Sequence, residues 1–134
     1  MSAPLAHVRA DGVWTTGLLD VTELSSLSVQ RITMERVAAG ATDEIIITVT
    51  GLGGAAGWLF DTAPPGFRGA SGDTSGVVLP VVGRDYVGGT LALASQRQPY
   101  WRPGSALSTG VVSGQIRYRA GDPRPTVIPG TRIT

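Results

Sequence analysis

Nucleophilic or metal chemistry in this chain would have to proceed without a cysteine and with a single histidine, His7. The missing thiols exclude disulfides, thiolate nucleophiles and Cys-based zinc sites, and one imidazole cannot build a His-rich metal centre. Lysine and asparagine are absent too, so all 11 basic residues are arginines. That removes Schiff-base chemistry and the lysine of a phosphate-binding loop.

Two stretches, and the carboxylates as a set, invite a chemical reading. Gly51-Leu52-Gly53-Gly54-Ala55-Ala56 comes after an apolar run and matches a dinucleotide-binding glycine fingerprint, with Asp73 about 20 residues further on. Such a fingerprint must open a helix whose N-terminus receives the pyrophosphate. Here Gly57-Trp58-Leu59-Phe60 and then Pro64-Pro65 come next, so a glycine-rich turn or bulge is expected, and no cofactor. Gly72-Asp73-Thr74-Ser75-Gly76 is similar to the sequence around a serine-protease nucleophile. A triad needs a base beside the serine and a carboxylate behind the base. The one histidine lies in what reads as a terminal hairpin, so a surface loop is expected. The carboxylates are Asp11, Asp20, Glu23, Glu35, Asp43, Glu44, Asp61, Asp73, Asp85 and Asp122. Most fall in turns or at strand ends, and nothing marks the facing pair of a glycosidase or the clustered acids of a calcium loop. The chain is expected to be no enzyme, with no metal and no cofactor.

Gln98-Pro99-Tyr100-Trp101-Arg102-Pro103 looks made for contact. Tyr, Trp and Arg concentrate at interface hot spots because they bring large area with few rotors, and flanking prolines reduce the entropy lost on docking. Tyr100, Trp101 and Arg102 are therefore interface candidates, within a loop spanning 96–108. Core packing of Trp101, or use of the rings against sugar or single-stranded nucleic acid, are the alternatives. The C-terminal stretch 121–134 carries Pro123, Pro125 and Pro129 around Thr126-Val127-Ile128. It is too apolar for a solvated linker and too proline-rich for a central strand. It reads either as an extended arm, with Pro123, Pro125, Val127, Ile128 and Pro129 as contacts, or as an edge strand of the domain's own sheet. Read as an arm, its deletion should leave a folded domain; likewise Trp101→Ala should weaken assembly more than folding.

The elements that would position these residues are short and β-like. Asp11-Gly12 is a two-residue hairpin signal. Residues 28–37 alternate, with Ile32 and Met34 opposite Val29, Arg31, Thr33, Glu35 and Val37, although 22–38 could hold a short helix. Residues 44–50, with Ile45-Ile46-Ile47 and Val49, form the most secure core strand. Further strands are read at 58–60, 77–82, 90–95 and 111–120. The strand at 77–82 contains Pro80, which belongs at a sheet edge or a bulge. With 19 glycines and 9 prolines as punctuation in 134 residues, the reading is one all-β domain over 1–134. It would be a single antiparallel β-sandwich or jelly-roll-like barrel of about eight short strands, with an N-terminal hairpin or arm at 1–12 and a proline-rich C-terminal arm at 121–134.

A net charge of +1 leaves no electrostatic footprint for nucleic acid or an anionic membrane. No apolar run reaches the roughly 20 residues that span a bilayer, and 1–12 does not read as a signal peptide. Only 16% of residues are charged, against roughly 25% in an average domain. A surface so sparsely charged is easier to understand when neighbours cover part of it.

In this combination the chain resembles small bacteriophage virion proteins, especially capsid decoration (cement) proteins. The residues carrying the resemblance are the arms at 3–9 and 123–134 and the β runs between them. It implies a homo-oligomer, a trimer favoured, seated on the major capsid protein or other virion subunits. Localisation would then be the virion, assembled in the host cytoplasm. A phage tail, neck or fibre component and a lectin-like carbohydrate-binding sandwich using Tyr100 and Trp101 are the alternatives.

Overall fold

The computed structural model describes residues 7–8, 12–104 and 110–133. In chain order its strands are β1 (His7–Val8), β2 (Trp14–Thr15), β3 (Leu19–Asp20), β4 (Arg31–Ala39), β5 (Thr42–Leu52), β6 (Gly57–Trp58), β7 (Gly76–Pro80), β8 (Val87–Leu93), β9 (Pro99–Pro103), β10 (Val112–Arg119) and β11 (Thr131–Arg132). They form two antiparallel sheets of a β-sandwich, and among the described residues the helical content is one 3-10 turn at Thr22–Leu24. Among the described residues no helix is long and apolar enough to cross a membrane.

The β4–β5 hairpin organises the large sheet. It turns at Gly40, whose φ of 75° suits a tight hairpin turn. β10 pairs with the free edge of β5, and β2 and β3 share the other edge of β4, extended by β1 and β11 respectively. The small sheet runs β6-β9-β8-β7. Isolated bridges Val81↔Val112 and Gly69↔Ala120 tie β10 to the segments flanking β7.

Alternation sets the core. Along β5, Asp43, Ile45, Ile47 and Val49 turn inward while Glu44, Ile46, Thr48 and Thr50 turn outward. Of the inward residues, Ile45, Ile47 and Val49 join Ile32, Met34, Ile116 and Tyr118 of their own sheet and Leu79, Leu91, Leu93 and Trp101 of the small sheet in one apolar cluster. Each such buried aliphatic or aromatic side chain stabilises the fold by about 1.5–3 kcal/mol.

Several expectations change. Residues 22–38 hold a 3-10 turn and β4, and no α-helix. Asp11 lies outside the described residues, but Val8 pairs with Trp14, one residue out of step with a two-residue turn at 11–12. Residues 99–103 are a strand and not part of a loop: β9 lies between β6 and β8. Gly51 of the glycine fingerprint has a φ of 67° and sits where β5 carries one extra residue against β10, a bulge, and the next element along the chain is strand β6. Pro80 fulfils both of its options, since β7 is the end strand of its sheet and its register shifts between Leu79 and Pro80.

The C-terminal segment lies on its own domain. β11 pairs with β3, Ile133 N–H bonds to the Leu18 carbonyl, and Arg132 donates from Nε and Nη2 to the Thr16 carbonyl. Ile128 belongs to the core cluster, and Pro125 is buried over Gly66, where an added Cβ would meet Pro125 Cβ at 2.5 Å. The interface reading of Pro125 and Ile128 is thus corrected: their contacts are spent inside the chain.

Candidate interaction surface

Most groups that could do chemistry are engaged in holding the fold. Arg36 alternates into the core of β4, where only 5% of it is exposed. Its Nε donates to Asp43 Oδ2 at 2.8 Å, and its Nη1 donates to the carbonyls of Gly66 (2.7 Å) and Pro123 (3.0 Å). Arg124 binds the same carboxylate through both Nε and Nη2 and lies 4.0 Å above the Trp14 ring. Asp122 accepts from Arg68 Nε, Arg97 Nη2 and the Gly66 N–H. Together these two clusters latch the C-terminal segment to the sandwich.

The electrostatics agree with that role. The Arg124 hydrogen bonds, with help from Arg36, hold the Asp43 carboxyl below the usual range. Burial alone would raise Asp122, but Arg68, the Gly66 N–H and Arg97 more than offset it and leave it lowered. Burial pushes the Tyr118 phenol up, and its hydroxyl donates to the Phe67 carbonyl. Ser75 donates both its N–H and its hydroxyl to Asp73 Oδ1, forming a self-contained turn. Among the described residues no group of three His, Asp or Glu could hold a metal ion.

An open groove of about 530 Å³ separates the tail from the turn at 65–68, lined by Pro65, Arg68, Pro123, Arg124, Val127 and Pro129 among others. Its arginines are bound to Asp122 and Asp43, so it offers shape without an unpaired charge.

The outer face of the small sheet is different. Residues directly opposite one another in an antiparallel pair share a face. Register therefore places Trp58, Tyr100, Ala92 and Gly76 in one row and Arg102, Thr90 and Val78 in the next. Trp58 and Tyr100 meet edge to face, with centroids 4.8 Å apart and an interplanar angle of 85°, and the Arg102 guanidinium lies 4.7 Å from the centre of the Tyr100 ring. Beyond these rows, Val87 pairs with Pro80, Val82 N–H bonds to the Val111 carbonyl, and Val81 N–H bonds to the Tyr86 carbonyl. Val78, Val82, Tyr86, Val87 and Val111 are five of the seven large apolar side chains exposed among the described residues. Val78 and Val87 lie on β7 and β8 themselves, Val82 and Tyr86 lie in the turn that joins these strands, and Val111 borders that turn from the start of β10; grouped exposures mark interaction sites, whereas scattered single ones need no explanation.

The two outer faces differ in charge. On the large sheet Arg31, Glu35, Glu44, Arg117 and Arg119 face solvent around Ile46, Thr48 and Gln115, with Arg117 bonded to Glu44 and Gln115 to Thr48. Among the strand residues on the outer face of the small sheet, Arg102 alone is charged.

Of the sequence-predicted contact residues, Tyr100 and Arg102 fall on this face. Trp101 does not. In a strand, successive side chains alternate, so Trp101 points the other way and is 0% exposed. It packs over Gly89, where an added Cβ would meet its ring at 2.6 Å, and its indole N–H is buried without an acceptor. It is core, and its assignment to an interface is corrected. Trp58 escapes a reading of the sequence because its place beside Tyr100 depends on the pairing of β6 with β9, which no local pattern reveals. The tail residues Pro123 and Val127 stay exposed, on the rim of the groove and apart from the aromatic row.

Comparison with protein-family models, with curated proteins and with solved structures finds no match for this chain.

Proposed function

We propose that this chain is a non-catalytic structural subunit of a multi-protein particle, of the kind that capsid decoration proteins exemplify, and that it docks through the outer face of its small sheet. The observation carrying this reading is the asymmetry between the two faces. One carries Arg31, Glu35, Glu44, Arg117 and Arg119; on the other, Trp58, Tyr100 and Val78 stand in two cross-strand rows in which Arg102 is the only charged strand residue, with exposed Val87 and the turn holding Val82, Arg84, Asp85 and Tyr86 at one end. An aromatic and arginine centre within an apolar surround is the composition of an interface core. A low overall charge then has a local cause: the ion-poor side is the covered side.

A glycan-binding role for the same face fits less well. Sugars stack on an accessible ring face, whereas one face of Tyr100 is occupied by Arg102 and Trp58 stands perpendicular to it. Catalysis is disfavoured by the carboxylates themselves, since Asp43 and Asp122 are held by arginines at the base of the tail.

The test is co-expression with the proteins encoded beside it, then sedimentation and electron microscopy. The wild-type chain is expected to travel with particles, and a Val78→Glu, Val87→Glu variant with an unchanged circular dichroism spectrum is expected to stay behind. A wild-type chain that remains a free monomer beside every such partner would overturn the proposal.

A further inference from the structure

Resting on the docking face just proposed, the geometry points to the chemistry of its occupant: we infer that Arg102 receives a carboxylate, an Asp or Glu side chain flanked by apolar residues, from a different protein. Arg102 is exposed and its guanidinium has no carboxylate partner among the described residues, where it lies over the Tyr100 ring. Arg31, Arg36, Arg68, Arg97, Arg117 and Arg124 are each paired with an acid, and of the exposed arginines without one among the described residues, Arg84, Arg102 and Arg119, only Arg102 lies over an aromatic ring. The Tyr100 ring restrains the guanidinium without neutralising it, and Trp58 supports the ring from the neighbouring strand. The planar fork is thus preorganised for two parallel hydrogen bonds to one carboxylate.

The surroundings favour an acid over a neutral partner. Val78 lies across Thr90 from Arg102, and Val87, Pro80 and Val82 continue the apolar surface. Any protein surface covering those side chains strips water from Arg102. A guanidinium buried without a counter-charge is strongly unfavourable, so a stable occupant must bring one. A second copy in a two-fold contact through the centre of this face would bring Arg102 against Arg102; the strand residues here supply no acid to separate them, and Asp85, the acid of the exposed turn between Val82 and Val87, stands beside Arg84 and so brings a further cation with it. The occupant is therefore a heterologous acidic and apolar segment.

A random-peptide display library, panned on the intact chain at low salt, provides the probe. Selected peptides are expected to share an Asp or Glu beside apolar residues and to bind more weakly as salt rises. Binding should fall at least about tenfold in Arg102→Glu. Arg102→Lys, which keeps the charge but loses the planar stack, should fall between. Both variants alter an exposed side chain, and near-ultraviolet circular dichroism checks their folds. Peptides that lose binding in Val78→Glu but are rich in neutral residues and indifferent to Arg102→Glu would overturn the carboxylate and leave the docking face standing. Peptides indifferent to both variants would overturn the carboxylate and the docking face together. Self-association of the wild-type chain that Arg102→Glu abolishes would replace the acidic partner with a second copy.

Discussion

Replacing Asp43 by alanine should destabilise the protein far more than a surface acid would. Asp43 is 8% exposed and its carboxylate answers two guanidiniums. Arg124 is half exposed and can turn to water, but Arg36, 5% exposed, cannot do so without leaving the core. The variant thus keeps a buried cation with two backbone carbonyls, from Gly66 and Pro123, and no counter-charge. Removing one partner of a buried ion pair costs about 3–5 kcal/mol, out of a total stability on the order of 5–15 kcal/mol. At about 4 °C per kcal/mol for a chain of this length, the thermal midpoint should fall by roughly 12–20 °C. Thermal melts and urea denaturation monitored by circular dichroism measure the two quantities, with Arg117→Ala as control. Arg117 and Glu44 form an exposed pair, worth less than about 1 kcal/mol. Arg36→Met in the Asp43→Ala background should recover part of the loss, because the orphaned charge is gone. An Asp43→Ala cost below about 1 kcal/mol, or no recovery in the double variant, would refute the reasoning.

The same packing dictates four other outcomes. Deleting residues 121–134 should unfold the domain or destabilise it severely, because Arg36, Arg68 and Arg97 lose their tail partners and Ile128 leaves the core; a cooperative melt close to wild type would contradict this. Asp43 and Asp122 have folded values below their ordinary 3.8, so the stability they contribute is complete above about pH 4 and is lost as pH falls through the lowered values. Denaturation midpoints should be flat from neutrality to about pH 5, fall below about pH 4, and flatten in Asp43→Asn with Asp122→Asn. Trp101→Ala should cost about 3–5 kcal/mol, and Trp101→Phe distinctly less, because it also removes a buried N–H that has no acceptor; equal losses in calorimetry would contradict that. Gly89→Ala should destabilise as well, since its Cβ would stand 2.5 Å from the Arg102 carbonyl and 2.6 Å from the Trp101 ring.

The legible part of the chain is its local pattern. The Ile45-Ile46-Ile47 run announces β5, and Pro80 announces an edge and a bulge, because both signals act through neighbours in sequence. The aromatic segment misleads for a physical reason. Pro99 and Pro103 read as loop brackets, but β6 pairs only with residues 100 and 101 of β9, so neither proline has to donate to β6. Once 99–103 is a strand, alternation sends Tyr100 and Arg102 outward and Trp101 inward. Arg36 illustrates the opposite failure. Its place in the alternation with Ile32 and Met34 points to the core, but its counter-charge comes from Asp43 across a hairpin and its remaining acceptors are carbonyls at Gly66 and Pro123. Only long-range packing makes a buried arginine tolerable. The two-residue strands β3, β6 and β11 likewise carry too few residues to show a period.

Hydroxyl-radical footprinting of the chain alone and within its native assembly tests the central claim most directly. Trp58, Tyr86, Tyr100 and Val78 should react in the isolated chain and become protected in the assembly, while Ile46 and Arg117 on the large sheet keep their reactivity. Unchanged reactivity across the small sheet, with protection moved to the large one, would contradict the account.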